Sequence, residues 1–179
     1  PLRNTVLFPG VVIPITVGRD RSIRLIQEVY RGNKTLGVAS QKDGTIEDPR
    51  VEDLNKVGTI ATIIRMLRMP DGSTTAIIQG KKRFEIIEVV KTDPYFTASV
   101  KEFTEQRPAK GDKTFEALVS SLKDLAINII KASPNIPTEA GFAIKNIDSP
   151  SFLVNFISSN MNAEVVEKQK MLEVEASSE

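Results

Sequence analysis

At 179 residues the chain is long enough to bury a sizeable core, as one large domain or two small ones. Its apolar share of 40%, charged share of 26% and net charge of +1 are ordinary for a soluble globular protein, and nothing in the balance calls for nucleic acid or an anionic membrane. The absence of cysteine and histidine excludes disulfides and thiolate chemistry, removes the commonest general base and metal ligand, and fits a reducing compartment.

The opening, from Pro1 to Gly18, predicts two short apolar strands broken at Phe8-Pro9-Gly10. Pro9 has no N–H for a ladder and Gly10 accepts positive φ, so the chain bends there. Pro14 confines the second strand to an edge or a bulge, which suits a small bent barrel better than a flat sheet. From Arg19 to Tyr30, apolar residues at Ile23, Leu25, Ile26, Val29 and Tyr30 form a helical stripe that Gly32-Asn33 stops. Leu36 to Ala39 reads as a short strand, and 41–56 as a polar loop. Two longer strands follow, roughly Gly58 to Met69 and Thr74 to Ile78, joined by the hairpin signal Pro70-Asp71-Gly72-Ser73. The second arm bends at Gly80 and runs on to Val90; Asp93-Pro94 breaks it, and Tyr95 to Phe103 alternates as a last strand.

Beyond a boundary at Thr104 to Lys113 the period changes from that of a strand to that of a helix. Phe115 to Ile130 recurs at helical spacing, with Asp112 or Thr114 as candidate caps and Ser133-Pro134-Asn135 as the stop. Thr138 is placed to cap a shorter helix through Ile144, and Ser149-Pro150 supplies an N-cap with proline at the first helical position. A last, weakly amphipathic helix is expected from Ala163 to Val174. The predicted fold class is thus α+β, a β-rich unit over residues 1–106 and an all-helical one over 107–179.

Gly32-Asn33-Lys34-Thr35 and Gly111-Asp112-Lys113-Thr114 resemble the tail of a phosphate-binding loop, but Gly-Lys-Thr is not contiguous and the earlier glycine is missing, so both read as turn or cap residues. Asn33-Lys34-Thr35 is a formal glycosylation sequon with no secretory signal beside it. Asp43, Glu47, Asp48, Glu52 and Asp53 lack the alternation and central glycine of a calcium loop and read as a solvated acidic stretch, so no metal site is expected. No nucleophile signature or paired-carboxylate arrangement stands out, and no catalytic residue is assigned. No apolar run reaches the ~20 residues that span a bilayer, so no membrane partner is expected.

Two surfaces carry binding hypotheses. Lys81, Lys82 and Arg83, with Arg65 and Arg68 on the partner strand, can track a phosphate backbone while Phe84 stacks on a base. The plainer reading turns Phe84 inward and leaves the cations as a wet face, so nucleic acid is not the expected partner. The arm from Ile63 to Met69 is apolar on both faces and needs two partners, and its flexible methionines suit adaptable contacts. Met66, Leu67 and Met69 are therefore the first candidates for contact with a polypeptide, with Arg21 and Arg24 on the helix as the second. Replacing Met66 and Leu67 by serine is expected to weaken such binding without unfolding the chain.

Taken together, Pro1-Leu2-Arg3-Asn4 with Phe8-Pro9-Gly10, Val17-Gly18-Arg19, Val57-Gly58-Thr59-Ile60-Ala61, Met69-Pro70-Asp71-Gly72, Ile136-Pro137 and Ile147-Asp148-Ser149-Pro150 resemble, in collinear order, the amino-terminal domain of the ATP-dependent Lon proteases. The resemblance implies a PUA-like pseudo-barrel followed by helices, acting as the substrate-engaging arm of a cytosolic, self-compartmentalised homo-hexameric protease. It implies unfolded, damaged or degron-bearing proteins as partners and self-association within a parent oligomer. ATP, Mg²⁺ and the Ser–Lys chemistry of a serine endopeptidase belong to later domains of such a parent, so neither cofactor nor catalysis is expected here. A start without methionine and an abrupt end suggest a piece of something longer; a free-standing binding module and an RNA-binding barrel are the alternatives.

Overall fold

The computed structural model describes residues 1–104, 113–132, 144 and 149–174. It divides into two units, Pro1–Thr104 with Asn162–Glu179, and Glu105–Met161.

The first unit is built on one antiparallel sheet. Its strands are β1 (Val12–Val17), β2 (Thr35–Val38), β3 (Val57–Arg68), β4 (Thr74–Lys91) and β5 (Thr97–Glu102); the helix α1 (Asp20–Arg31) connects β1 to β2. The 18-residue β4 is the spine. β3 runs along one edge of it, while β1 and β5 share the other, β1 against Thr74–Gln79 and β5 against Phe84–Lys91. β2 continues the sheet beyond β3. No pairing joins β2 to β1 or β5 among the described residues, so the expected pseudo-barrel does not close by strand pairing. The bend near Gly80 has a local cause. Gly80 exchanges hydrogen bonds with Gly10 and Val11, and a Cβ at residue 80 would meet the Phe8 carbonyl, so only glycine lets the opening segment lie this close. Lys81 is skipped in the pairing between Ile60 and Ala61, a bulge at the same place.

The first of the two opening strands expected from sequence does not form. Val6, Leu7 and Phe8 are buried in irregular chain, and the segment is held by single contacts. Leu2 bridges Ala39 and Gln41, and the buried hydroxyl of Thr59 donates to the Leu7 carbonyl at 2.7 Å. Pro9 and the tight Phe8–Val11 turn leave no run of free amides for a ladder.

A further helix, α4 (Val165–Val174), returns to this sheet. Leu172 enters the main core with Leu7, Phe8, Ile63 and Ile78, and Val165 and Met171 pack beside it. Gln169 Nε2 donates to the Val57 carbonyl at 3.0 Å. The expected boundary therefore differs from the observed one: the helical unit read as 107–179 gives up Asn162 onward to the β unit, because the buried side of α4 completes the sheet's core.

In the second unit, α2 (Lys113–Ala132) and α3 (Pro150–Asn160) pack around Ala126, Ile130, Ile144 and Leu153. Ser149 caps α3, its Oγ accepting from the Phe152 amide, with Pro150 at the first turn as anticipated. Leu118, Leu125 and Ile129 leave an exposed apolar stripe on α2. The expected cap Asp112, the stop at Ser133-Pro134-Asn135 and all but the last residue of the helix from Thr138 to Ile144 lie outside the described residues. Among the described residues no helix is long and apolar enough to cross a membrane.

Candidate functional site

The arm expected to be apolar on both faces is explained by a bulge. Pairing passes from Ile63–Ile78 to Arg65–Ile77, skipping Ile64, and shifts the alternation by one. Ile63 and Met66 both turn inward, Met66 half-buried against the main core. Ile64, Leu67 and Met69 remain 51%, 38% and 42% exposed. On the same outer surface β1 contributes Val12, which is 49% exposed, so the outside of the β1–β4–β3 sheet carries exposed apolar side chains set among Thr62, Arg65 and Gln79. The hairpin tip beside it is well ordered by turn chemistry. Gly72 takes φ +85, and Asp71 Oδ1 accepts from both the amide and the hydroxyl of Ser73, which holds the Asp71 carboxyl below its ordinary range.

A second surface is a groove of about 330 Å³ among α1, β2 and the β4–β5 hairpin. Its floor is the buried ring of Phe84, flanked by Ile60 and Ile86. The ring lies over Gly37 and Gly58: a Cβ at Gly37 would come within 3.1 Å of it, and a Cβ at Gly58 would meet both the ring and the Val38 carbonyl. The two glycines make room for the aromatic ring across three strands. One wall is Arg21, Ser22 and Leu25 of α1, and the facing wall is Tyr95, Phe96, Ala98 and Val100. The walls are tied where the Tyr95 hydroxyl donates to Glu28 Oε2 at 2.6 Å, which raises the phenol above its ordinary pKa. Arg24 approaches the same carboxylate at 3.9 Å. Arg19, at the mouth, donates to Gln41 Oε1 at 2.7 Å, and burial followed by the nearby Arg3 lowers its pKa.

The candidates from sequence are thus divided. Arg21 lines the groove, Arg24 is engaged with Glu28, and Met66, Leu67 and Met69 lie on the hairpin outside its lining. The basic cluster does not persist as a unit either. Arg83 is buried and donates to the Leu172 carbonyl at 3.3 Å, Phe84 turns inward, and Lys82 pairs with Glu102 at 3.1 Å. The phosphate-loop look-alike at Gly32 is a turn: Gly32 closes α1 onto the Glu28 and Val29 carbonyls, and Asn33 Oδ1 accepts from the Thr35 amide. In the acidic loop Asp43 binds Thr45 and Asp53 accepts from the Arg50 amide. The groove itself escaped sequence reasoning; the one local signal was an inward Phe84 paired across the strand with Gly58.

The arrangement is an α+β domain, a bent open sheet with a helix returning onto it and a helical unit in the chain before that helix. Residues 1–178 match the family described as the ATP-dependent protease La (LON) substrate-binding domain, and the chain belongs to that family. It is 61% identical over 174 residues to the Lon protease of Flavobacterium johnsoniae and 50% identical over 173 residues to that of Cytophaga hutchinsonii. In each case 97% of this chain is covered and 21% of the relative, so the chain spans about a fifth of the length of these relatives. Its fold matches the N-terminal domain of a Lon protease from the Mycobacterium avium complex with a TM-score of 0.76 at 21% identity, covering 96% of this chain and 86% of the other.

Proposed function

We infer that this domain recognises unfolded or degron-bearing polypeptides for an ATP-dependent, Lon-type serine protease of the cytoplasm, and helps to hold the subunits of that oligomer together. The observation that carries this reading is the set of exposed apolar side chains Val12, Ile64, Leu67 and Met69 on one sheet face of a member of a substrate-binding family. A patch of this kind is what a receptor for varied apolar segments requires, since it selects by desolvation and not by strict shape. The exposed stripe of Leu118, Leu125 and Ile129 is available for association between subunits.

The test is titration of the chain with a reduced, denatured test protein and with its native form. Saturable binding of the denatured form alone is expected. Leu67→Ser with Met69→Ser is expected to weaken it, and these exposed positions serve better than Met66, whose side chain supports the core. Equal indifference to both forms overturns the reading. An RNA oligonucleotide that binds and is released steeply as salt rises would instead point to nucleic acid, because apolar contacts are not weakened in that way.

A further inference from the structure

We propose that the Phe84 groove takes an extended polypeptide strand, which pairs with the free edge of β2 and sets alternate apolar side chains over Phe84. This rests on the substrate-binding reading above and adds a second capture surface, separate from the sheet face of Leu67 and Met69.

The edge is available. The Ile63 amide donates to the Lys34 carbonyl at 2.8 Å, which fixes Lys34, Leu36 and Val38 as the residues bonded toward β3. Thr35 and Gly37 therefore turn their backbone groups to the opposite edge. The Thr35 amide is taken by Asn33 Oδ1 and the Ala39 carbonyl by the Leu2 amide, which leaves, among the described residues, the Thr35 carbonyl and both backbone groups of Gly37 to receive a strand. The consecutive residues Thr35, Leu36 and Gly37 all border the groove. Side chains of one strand alternate in direction and Gly37 has none, so the edge of β2 and not one face of it forms this border.

The groove suits such an occupant. Four residues of β2 offer about 13 Å of edge, room for two inward-pointing side chains of an added strand. A volume of about 330 Å³ lined by Leu25, Ile60, Phe84, Ile86 and Val100 matches two large aliphatic groups in size and polarity. At the mouth, Arg21 is exposed and enters no ion pair among the described residues, and Arg19 stands beside it with Arg3 nearby, these three cations facing the carboxylates of Asp48 and Glu47. The charge at that end favours a strand with an acidic residue next to its apolar positions. Strand addition gives affinity through main-chain bonds and selects only alternate side chains, which fits recognition of many unrelated sequences.

The test uses the whole 179-residue chain. The probe is a fluorescent peptide of alternating leucine and serine with a glutamate at one end, in three forms: unmodified, and N-methylated on either alternate set of amides. One methylated set is expected to lose affinity on the order of tenfold or more and the other to change less than about twofold, since only one set faces β2. The Gly37 amide is expected to gain protection from hydrogen exchange when the peptide binds. Ala98→Trp, a substitution at an exposed position of β5, should block the groove, and Arg21→Glu should shift preference from the glutamate peptide to a lysine one. Equal binding of all three peptides, or binding untouched by Ala98→Trp, overturns strand addition. If the denatured test protein still binds in that case, the wider reading survives; if neither peptide nor denatured protein binds, both fall.

Discussion

The Tyr95 hydroxyl donates to Glu28 Oε2 at 2.6 Å across 67 positions of sequence, and this bond links α1 to the turn between β4 and β5. It joins the two walls of the groove. The protonated phenol is the form that donates, so folding holds the proton on Tyr95 more tightly than the usual value of 10.0. The contribution of the bond is fully present below that value and is lost as pH rises through the higher folded pKa. An ultraviolet absorbance titration is expected to show one tyrosine ionising late, and Glu28→Gln to return it toward ordinary behaviour. A late transition that survives Glu28→Gln would dissociate the shift from this bond.

Gly58→Ala is expected to destabilise the first unit by about 1–3 kcal/mol, because the added methyl meets the Val38 carbonyl and the Phe84 ring together. Gly37→Ala should cost less, since only the ring faces it and a ring can shift by a few tenths of an ångström. Urea denaturation of the two variants checks the order.

Leu172→Ala should cost about 2–5 kcal/mol, the usual range for a large core aliphatic, and the loss should register in the sheet unit. Hydrogen exchange resolved by segment is the measurement. Protection should fall across β3 and β4, which hold α4, whereas a helix belonging to the other unit would leave them unchanged.

Leu67→Ser and Met69→Ser should each shift the denaturation midpoint little, within about 0.5 kcal/mol, as exposed substitutions do. Met66→Ser should cost more, because its side chain packs on the core. Equal costs for the three would contradict the change of alternation at Ile64.

What could be read in advance was local. The Pro70–Ser73 turn and the Ser149-Pro150 cap are decided by a few neighbouring residues, and both stand where turn and cap chemistry put them. The inward course of Phe84 followed from the plainer reading of the basic strand. The parts that were not legible depend on distant partners. The bulge at Ile64 exists only in the pairing with β4, so apolar residues on both faces looked like two buried surfaces. α4 is weakly amphipathic, and its destination is chosen by an empty slot in a sheet whose bonded contacts, Arg83 and Val57, lie 89 and 112 positions away. The groove combines residues from five elements, none of which carries its signature alone.

Because residues 105–161 leave the sheet unit after β5 and the chain comes back to it as α4, the helical unit is a side loop in the path of tension. A pull exerted at the end of α4 is taken up first by the contacts of Leu172, Gln169 and Arg83 with the strands. The inserted helices would feel that load only after this clamp had slipped.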